Sequence, residues 1–281
     1  MGDASPEPRE PVRTARPSEH AADWAVQARR RVLRLLAFSA AIVAGLGGPK
    51  ARHASAAGAP VMVDAAIILA ADVSRSIDEE EFALQRRGYA DAIQSQQLID
   101  AISTGPHGAI ALAYVEWAGD GEERVVTEWA VIRNLADARA FVAGMSAAPR
   151  SYLGRTAIGT AIDFSFALFA EAAFETSRRV IDISGDGTNN QGRAVTDARD
   201  AAVGAGAVIN GLAIFNKKAA AMGGYLAMHT NPPGGLAHYY RENVIGGPGA
   251  FVVQIDDFNT FGEAMMRKLV SEVAYAGQRG G

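Results

Sequence analysis

The sequence predicts an α/β fold in which a single doubly wound, mostly parallel β-sheet is flanked by helices. From residue 64 onward, short apolar runs of strand length alternate with longer stretches that have helical spacing. The strand-length runs are almost continuously apolar, which is typical of parallel strands buried on both faces. Neither an internal repeat nor a second apolar core is evident. We therefore expect one domain at 57–276, followed by a flexible tail at 277–281.

The first half of the domain contains three predicted strands and two predicted helices. The strands lie at 65–71, 109–117 and 125–132, and the helices lie at 79–102 and 134–145. The longer helix places Phe82, Tyr89 and Ile93 on one face, which predicts that this face packs against the sheet.

The second half continues the alternation after a loop at 148–155 that contains Pro and Gly. Helices are predicted at 157–173 and 194–203, and strands at 180–184, 207–215 and 250–255. The stretch at 217–248 is the least regular because Gly and Pro pairs interrupt it. A last helix repeats apolar residues every four positions, at Phe261, Met265, Leu269 and Val273.

Composition restricts the chemistry that is open to the protein. The 281 residues include no cysteine, which excludes disulfides, thiolate zinc sites, iron–sulfur clusters and cysteine nucleophiles. The five histidines form no HExxH motif or other close ligand pair. Any bound metal must therefore rely mainly on oxygen ligands.

The body of the protein is acidic. Residues 1–56 carry nine of the 27 Lys and Arg residues and five of the 31 Asp and Glu residues. The remaining 18 basic and 26 acidic residues give the body a formal charge of about −8. Nucleic acids and anionic membranes both attract clusters of Lys and Arg. The charge distribution therefore argues against either partner. No stable membrane insertion is expected once a signal peptide has been cleaved.

Residues 1–56 are predicted to be an N-terminal extension with a secretory signal peptide. Four arginines between positions 29 and 34 precede an apolar run at 35–46, which is shorter than the ~20 residues that span a bilayer. The small-residue tract Ala54-Ser55-Ala56 follows and has the pattern that signal peptidase accepts. We expect cleavage after Ala56 and a periplasmic or extracellular protein. An uncleaved anchor or a disordered tail is the alternative.

Polar residues occur where predicted strands end and a helix begins. The strand at 65–71 leads into Asp72-Val73-Ser74-Arg75-Ser76, Thr156 precedes the helix at 157–173, and Asp186 follows the strand at 180–184. Ligands of open α/β sheets bind outside the carboxyl ends of the strands. A carboxylate and hydroxyls at alternate positions of a tight turn suit a hard cation such as Mg²⁺. The sequence therefore predicts a cation site with oxygen ligands.

Five residues resemble a known metal site in type, order and strand context. Asp72, Ser74, Ser76, Thr156 and Asp186 resemble the metal-ion-dependent adhesion site of von Willebrand factor type A domains. The resemblance extends over about 62–275. The loop Gly185-Asp186-Gly187-Thr188-Asn189-Asn190 and the segment at 239–251 further resemble a family of secreted bacterial type A proteins of unassigned function.

The resemblance implies a role for each residue. Ser74 and Ser76 would bind the ion directly, and Thr156 would bind directly or through water. Asp72 and Asp186 would act through bridging waters and hydrogen bonds that orient the hydroxyls. The cation would be Mg²⁺, or Mn²⁺ or Ca²⁺, and its open position would receive an acidic side chain of a partner protein.

Simpler structural roles are available for the same residues. Ser74 would cap a helix that begins near Ile77, Thr156 would cap the helix that follows it, and Asp186 would be a turn residue. The acidic run at 78–81 is interpreted as the solvated start of a helix, although some relatives use such carboxylates for a second cation.

The histidines near this region show no visible partner. His107, His229 and His238 are therefore expected on the surface or in loops.

Two functions of different classes follow. The first is a secreted, non-enzymatic module that uses a divalent cation to capture an acidic group of a partner protein. The second is a phosphatase similar to the haloacid dehalogenases, with Asp72 as the nucleophile and with Ser184, Lys217 or Lys218, and the pair Asp256-Asp257 as further groups. Ser74 stands where that family requires its second aspartate, so the binding module is preferred.

Overall fold

The computed structural model describes residues 60–277. The predicted signal peptide and extension at 1–56 lie outside that range, as does most of the predicted tail. The strands are β1 (Val61–Met62), β2 (Ala65–Asp72), β3 (Ile110–Trp117), β4 (Glu123–Ile132), β5 (Phe174–Glu175), β6 (Arg179–Gly185), β7 (Ala207–Ile214) and β8 (Val252–Ile255). The helices are α1 (Glu79–Ile93), α2 (Gln96–Ser103), α3 (Leu135–Ala147), α4 (Ile158–Leu168), α5 (Val195–Gly204), α6 (Lys217–Ala221), α7 (Gly224–Thr230), α8 (Leu236–Tyr239) and α9 (Phe261–Gly277).

Six strands form the central sheet in the order β4-β3-β2-β6-β7-β8. All neighbouring pairs are parallel except β3 and β4, which are antiparallel. The short strands β1 and β5 form a separate parallel pair. The carboxyl ends of β2, β6 and β7 therefore meet at the same edge of the sheet.

Helices cover both faces of the sheet because side chains alternate along each strand. On one face, Leu69 of β2 packs in a core to which α1, α2, α3 and α9 contribute. On the other face, Ile68 packs in a core with residues of α4, α5 and α8. This arrangement confirms the predicted doubly wound α/β fold.

The structure corrects three predicted elements. The helix expected at 79–102 is two helices, because α1 ends at Ile93 and Ser95 caps α2 by accepting a hydrogen bond from the Leu98 N–H at 3.2 Å. The helix expected at 157–173 is α-helical only to Leu168 and continues as a short 3₁₀ turn at Phe169–Glu171. The irregular stretch at 217–248 contains three short helices and a π-helical turn at Tyr240–Val244.

A buried ionic cluster fixes the last helix to the sheet. Lys268 of α9 is 1% exposed, and its Nζ lies 2.6 Å from Asp182 Oδ1 of β6 and 2.6 Å from Glu272 Oε1. Asn210 of β7 donates to the same Glu272 oxygen at 2.6 Å. Burial opposes protonation of Lys268, but the two carboxylates outweigh it and raise the pKa of Lys268. The ammonium is thus held charged between two carboxylates in the core.

Substitution of Lys268→Met should strongly destabilise the domain because it leaves two buried carboxylates without their cation. We expect the free energy of unfolding to fall by about 3–5 kcal/mol. Arg267→Met is the matched control, since Arg267 is exposed and its salt bridge among the described residues is with Glu263 one turn away. That control should change the free energy by less than about 0.5 kcal/mol. Urea denaturation followed by circular dichroism measures both values, and equal effects would contradict the assigned role of Lys268.

Candidate metal centre

Two buried carboxylates lie at adjacent strand ends. Asp72 is the last residue of β2, and Asp186 directly follows β6. The register that pairs Ala71 with Ser184 brings these two ends side by side. The chain leaves β2 toward one face of the sheet through α1 and approaches β6 from the other face through α4. This is the topological switch point at which open α/β sheets bind ligands.

The turn after β2 folds back on Asp72. The Ser74 N–H donates to Asp72 Oδ1 at 2.7 Å, and the Gln85 side-chain amide of α1 donates to the Asp72 carbonyl at 3.0 Å. These contacts turn the Ser74 and Ser76 hydroxyls toward each other, with 3.2 Å between the two oxygens. The alternating Asp-x-Ser-x-Ser pattern thus produces a local concentration of oxygen atoms.

The second and third loops join the same cluster. Ser76 Oγ donates to Asp186 Oδ1 at 2.6 Å, although the two residues are 110 positions apart. Thr156 Oγ1 lies 3.5 Å from Ser74 Oγ. The structure therefore brings Asp72, Ser74, Ser76, Thr156 and Asp186 together. Their role as metal ligands stays a prediction.

The proposed capping roles are wrong. Helix α1 begins at Glu79 and is capped by Asp78, whose side chain forms a reciprocal capping box with Glu81. Among the described residues, no side chain caps helix α4. The hydroxyls of Ser74 and Thr156 are thus used in the cluster, whereas the acidic run starts a helix as expected.

Burial raises the pKa values of both carboxylates, because it disfavours their charged form. It raises the pKa of Asp72 to about 8, and the nearby charge of Asp186 adds to the shift. Burial also raises the pKa of Asp186 to about 6, against hydrogen bonds from Ser76 and Asn216. Asp72 Oδ2 is buried and has no hydrogen-bond partner among the described protein groups. This orphaned oxygen and the neighbouring hydroxyls fit a hard divalent cation with bound water.

The cluster depends on hydroxyl groups more than on charged ligands. Within residues 60–277, no three His, Asp or Glu side chains converge in a way that could hold a metal ion. Any cation bound at the strand ends would therefore need the oxygens of Ser74, Ser76 and Thr156.

Asn216 is a site residue that the sequence analysis missed. Its side-chain amide donates to Asp186 Oδ2 at 2.9 Å and to the Ser76 carbonyl at 3.0 Å. It follows β7, the next strand along the same edge, and this position was the available signal.

The expectation that His229 lies on the surface or in a loop is wrong. His229 lies in α7 and is 5% exposed, with Nε2 3.1 Å from Thr156 Oγ1 and Nδ1 3.0 Å from Thr188 Oγ1. Burial and the charge of Arg75 lower the pKa of His229 to about 4, so the ring is neutral at pH 7. His107 and His238 are exposed, as expected.

Arg150 holds the turn after β2 from outside. Its guanidinium donates to the carbonyls of Val73, Ser74 and Ile77 at 2.8–3.0 Å, and it pairs with Glu79 at 2.9 Å. The side chain is only 8% exposed. Arg150 thus connects the loop that carries Thr156 to the turn that carries Ser74.

Groups that the phosphatase alternative would recruit have other contacts. The Ser184 hydroxyl lies 2.8 Å from the Tyr89 hydroxyl, Lys218 Nζ lies 2.8 Å from Asp78 Oδ2, and Asp257 caps a 3₁₀ turn. None of these contacts favours phosphoryl transfer.

The fold is that of von Willebrand factor type A domains. Proximal thread matrix protein 1 from the mussel byssus is 13% identical with a TM-score of 0.52, and the match covers 75% of this chain and 48% of that one. For the pilus adhesin SpaC from Lactobacillus rhamnosus GG in its open conformation the identity is 13%, the TM-score 0.53 and the coverage 77% and 30%. For the von Willebrand factor type A protein from Catenulispora acidiphila these values are 16%, 0.50, 76% and 43%.

The family assignment comes from the sequence. The model of the family described as "Protein of unknown function (DUF1194)" matches residues 62–277, so the chain belongs to that family. No curated protein matches the chain. The chain spans about half or less of the length of the three solved structures. These structures establish the fold.

Substitution of Arg150→Ala should loosen the turn that presents Ser74 and Ser76. Loss of the charge-assisted hydrogen bonds should lower the free energy of unfolding by about 2–4 kcal/mol and speed amide exchange at 73–77. Arg155→Ala is the control, because Arg155 is exposed in the same loop and its loss should cost less than about 0.5 kcal/mol. Hydrogen exchange with mass spectrometry checks the effect. Unchanged exchange at 73–77 in Arg150→Ala would exclude this role.

Proposed function

We propose that the protein is an exported, metal-dependent protein-binding module without catalytic activity of its own. A divalent cation, Mg²⁺ or alternatively Mn²⁺ or Ca²⁺, would be held by Asp72, Ser74, Ser76, Thr156 and Asp186. The supporting observation is that three hydroxyls and two buried carboxylates from three loops converge at the switch point of the sheet.

The side chains at the site would have different roles in holding the cation. Ser74, Ser76 and Thr156 would offer hydroxyl oxygens, while Asp72 and Asp186 would orient those hydroxyls and bound water. Asn216 would hold one Asp186 oxygen, and His229 would accept the Thr156 hydrogen so that a lone pair of that hydroxyl remains available. With few charged direct ligands, a bound cation would supply an electrophilic position for a carboxylate of the partner.

The proposed location rests on the N-terminal segment. Residues 1–56 would serve as extension and signal peptide, and residues 57–276 would form the periplasmic or extracellular domain. Within residues 60–277, no helix is long and apolar enough to cross a membrane. One structure with this fold is named a pilus adhesin. That likeness adds an analogy at the level of the fold to the argument from the site.

The decisive experiment is calorimetric titration of Mg²⁺ and Mn²⁺ into the purified protein and into Ser74→Ala/Ser76→Ala. We expect the double substitution to weaken metal binding at least about tenfold, a loss of ~1.4 kcal/mol. Acetate should strengthen binding in the wild type only. The matched control is Ser103→Ala/Ser271→Ala, in which two exposed helix hydroxyls are removed. Equal metal affinity in all three proteins would refute the metal site.

The role of His229 is tested by comparing two substitutions. His229→Ala removes the acceptor for the Thr156 hydroxyl and should weaken Mn²⁺ binding about tenfold, whereas His229→Gln offers an amide oxygen and should retain most of the affinity. Circular dichroism checks that both variants are folded. If the two variants lose the same affinity, hydrogen-bond acceptance by His229 does not position Thr156.

A further inference from the structure

Exposed apolar side chains gather beside the candidate metal centre. Among the described residues the large exposed ones are Val61, Met62, Leu153, Met222, Tyr225 and Met228. Isolated exposed apolar residues are common and need no explanation, but a group of them marks an interaction surface. Four of these six lie in two segments that contact the five clustered residues. The segments are the 216–229 segment and the loop that ends at Thr156. Three of the four, between Met222 and Met228, are 62–76% exposed.

The 216–229 segment contacts the cluster at both ends. At its start, Asn216 donates to Asp186 and to the Ser76 carbonyl. At its end, the His229 ring contacts Thr156, and Tyr225 stacks on that ring at a centroid distance of 5.8 Å. The apolar side chains between these anchors are therefore held at the rim of the site. A groove of about 290 Å³ in this region is lined by Arg75, Ser76, Met222 and Leu226, among others.

The other segment is the loop that carries Thr156. Leu153 in this loop is 61% exposed. The Arg75 N–H donates to the Gly154 carbonyl at 3.1 Å, which places this loop against the Asp-x-Ser-x-Ser turn. Leu153 thus lies beside the Asp-x-Ser-x-Ser turn. The 216–229 segment lies next to the same turn, because Met222 and Arg75 line one groove.

Two exposed arginines lie at this rim. Arg75 and Arg155 are exposed, and within residues 60–277 neither guanidinium forms a salt bridge. The acidic start of α1 is only partly neutralised, because Arg150 pairs with Glu79 and the single Lys218 ammonium contacts Asp78, Glu80 and Glu81. Two exposed guanidinium groups thus lie on the turn and the loop that carry the clustered hydroxyls, and their positive charge complements a carboxylate.

We propose that these groups form a docking face for a protein segment in which an acidic side chain is flanked by apolar ones. The docking face consists of four apolar and two cationic side chains: Leu153, Met222, Tyr225, Met228, Arg75 and Arg155. This inference rests on the proposed function, since the carboxylate would reach the cation while the flanking side chains cover the apolar rim. The apolar contacts would supply selectivity among acidic partners, which the cation alone cannot provide.

The test uses three synthetic probes: acetyl-Leu-Asp-Leu-amide, acetyl-Gly-Asp-Gly-amide and acetyl-Leu-Asn-Leu-amide. Each is titrated with the protein in Mg²⁺ or in EDTA, and methionine methyl resonances are followed by NMR. In Mg²⁺, the Leu-Asp-Leu probe should bind at least about fivefold more tightly than the Gly-Asp-Gly probe. It should shift the methyl signals of Met222 and Met228 but leave those of the buried Met145 and Met265 unchanged.

A variant separates the docking face from the cation. Met222→Ser/Met228→Ser should remove the preference for Leu-Asp-Leu, while Met62→Ser, an exposed methionine on β1, should retain it. Equal affinity for the two Asp probes, or an undiminished preference in the double variant, overturns the docking face and leaves the proposed function intact. Absence of Mg²⁺-dependent binding for every probe overturns both.

Discussion

Burial of two carboxylates at neighbouring strand ends is the constraint on which the rest of the site depends. A charge removed from water must be paired or hydrogen-bonded, or its group is driven toward the neutral form. Asp186 finds neutral donors in Ser76 and Asn216. Asp72 accepts one backbone N–H and keeps one oxygen without a protein partner. The negative charge of the two carboxylates is thus incompletely compensated, which favours a cation between the ends of β2 and β6. An ordinary turn does not require two carboxylates to be buried together.

The loops around these carboxylates are held by contacts between distant parts of the chain. Arg150 binds the carbonyls of the turn after β2, Asn216 binds Asp186, and His229 binds Thr156. The Asn216 and His229 contacts join a loop that offers ligands to a segment that offers none, and Arg150 joins two loops that both offer them. The hydroxyls are thereby fixed before any ligand binds, which reduces the ordering cost of binding. The same contacts hold the apolar residues of the 216–229 segment beside the cluster.

The sequence predicts the part of this arrangement that is local. Alternating apolar runs predict the strands. The alternate polar positions after β2 predict the turn, so the sequence alone indicates that Asp72, Ser74 and Ser76 lie together. His229 is not readable in this way, because its partners Thr156 and Thr188 are 73 and 41 residues away and α7 is too short for periodicity to reveal its buried side. The break at Ser95 was missed because apolar spacing continues across it. The burial of Lys268 is not predictable in this way, because an i,i+4 pair with Glu272 is typical of an exposed helix face and its other partner, Asp182, is distant in the sequence.

Strand β6 connects the buried ionic cluster to the candidate metal centre. Side chains alternate along a strand, so Val180, Asp182 and Ser184 face the same side, and the other side bears Ile181 and Ile183. The polar side meets Lys268 of α9 and Tyr89 of α1 and ends next to Asp186. A buried ion pair often contributes little net stability compared with apolar packing of similar volume. We therefore favour the hypothesis that Asp182 and Lys268 specify where α9 lies on the sheet. Asp182 restricts that position because its carboxylate must meet the Lys268 ammonium, a requirement that an apolar side chain does not impose.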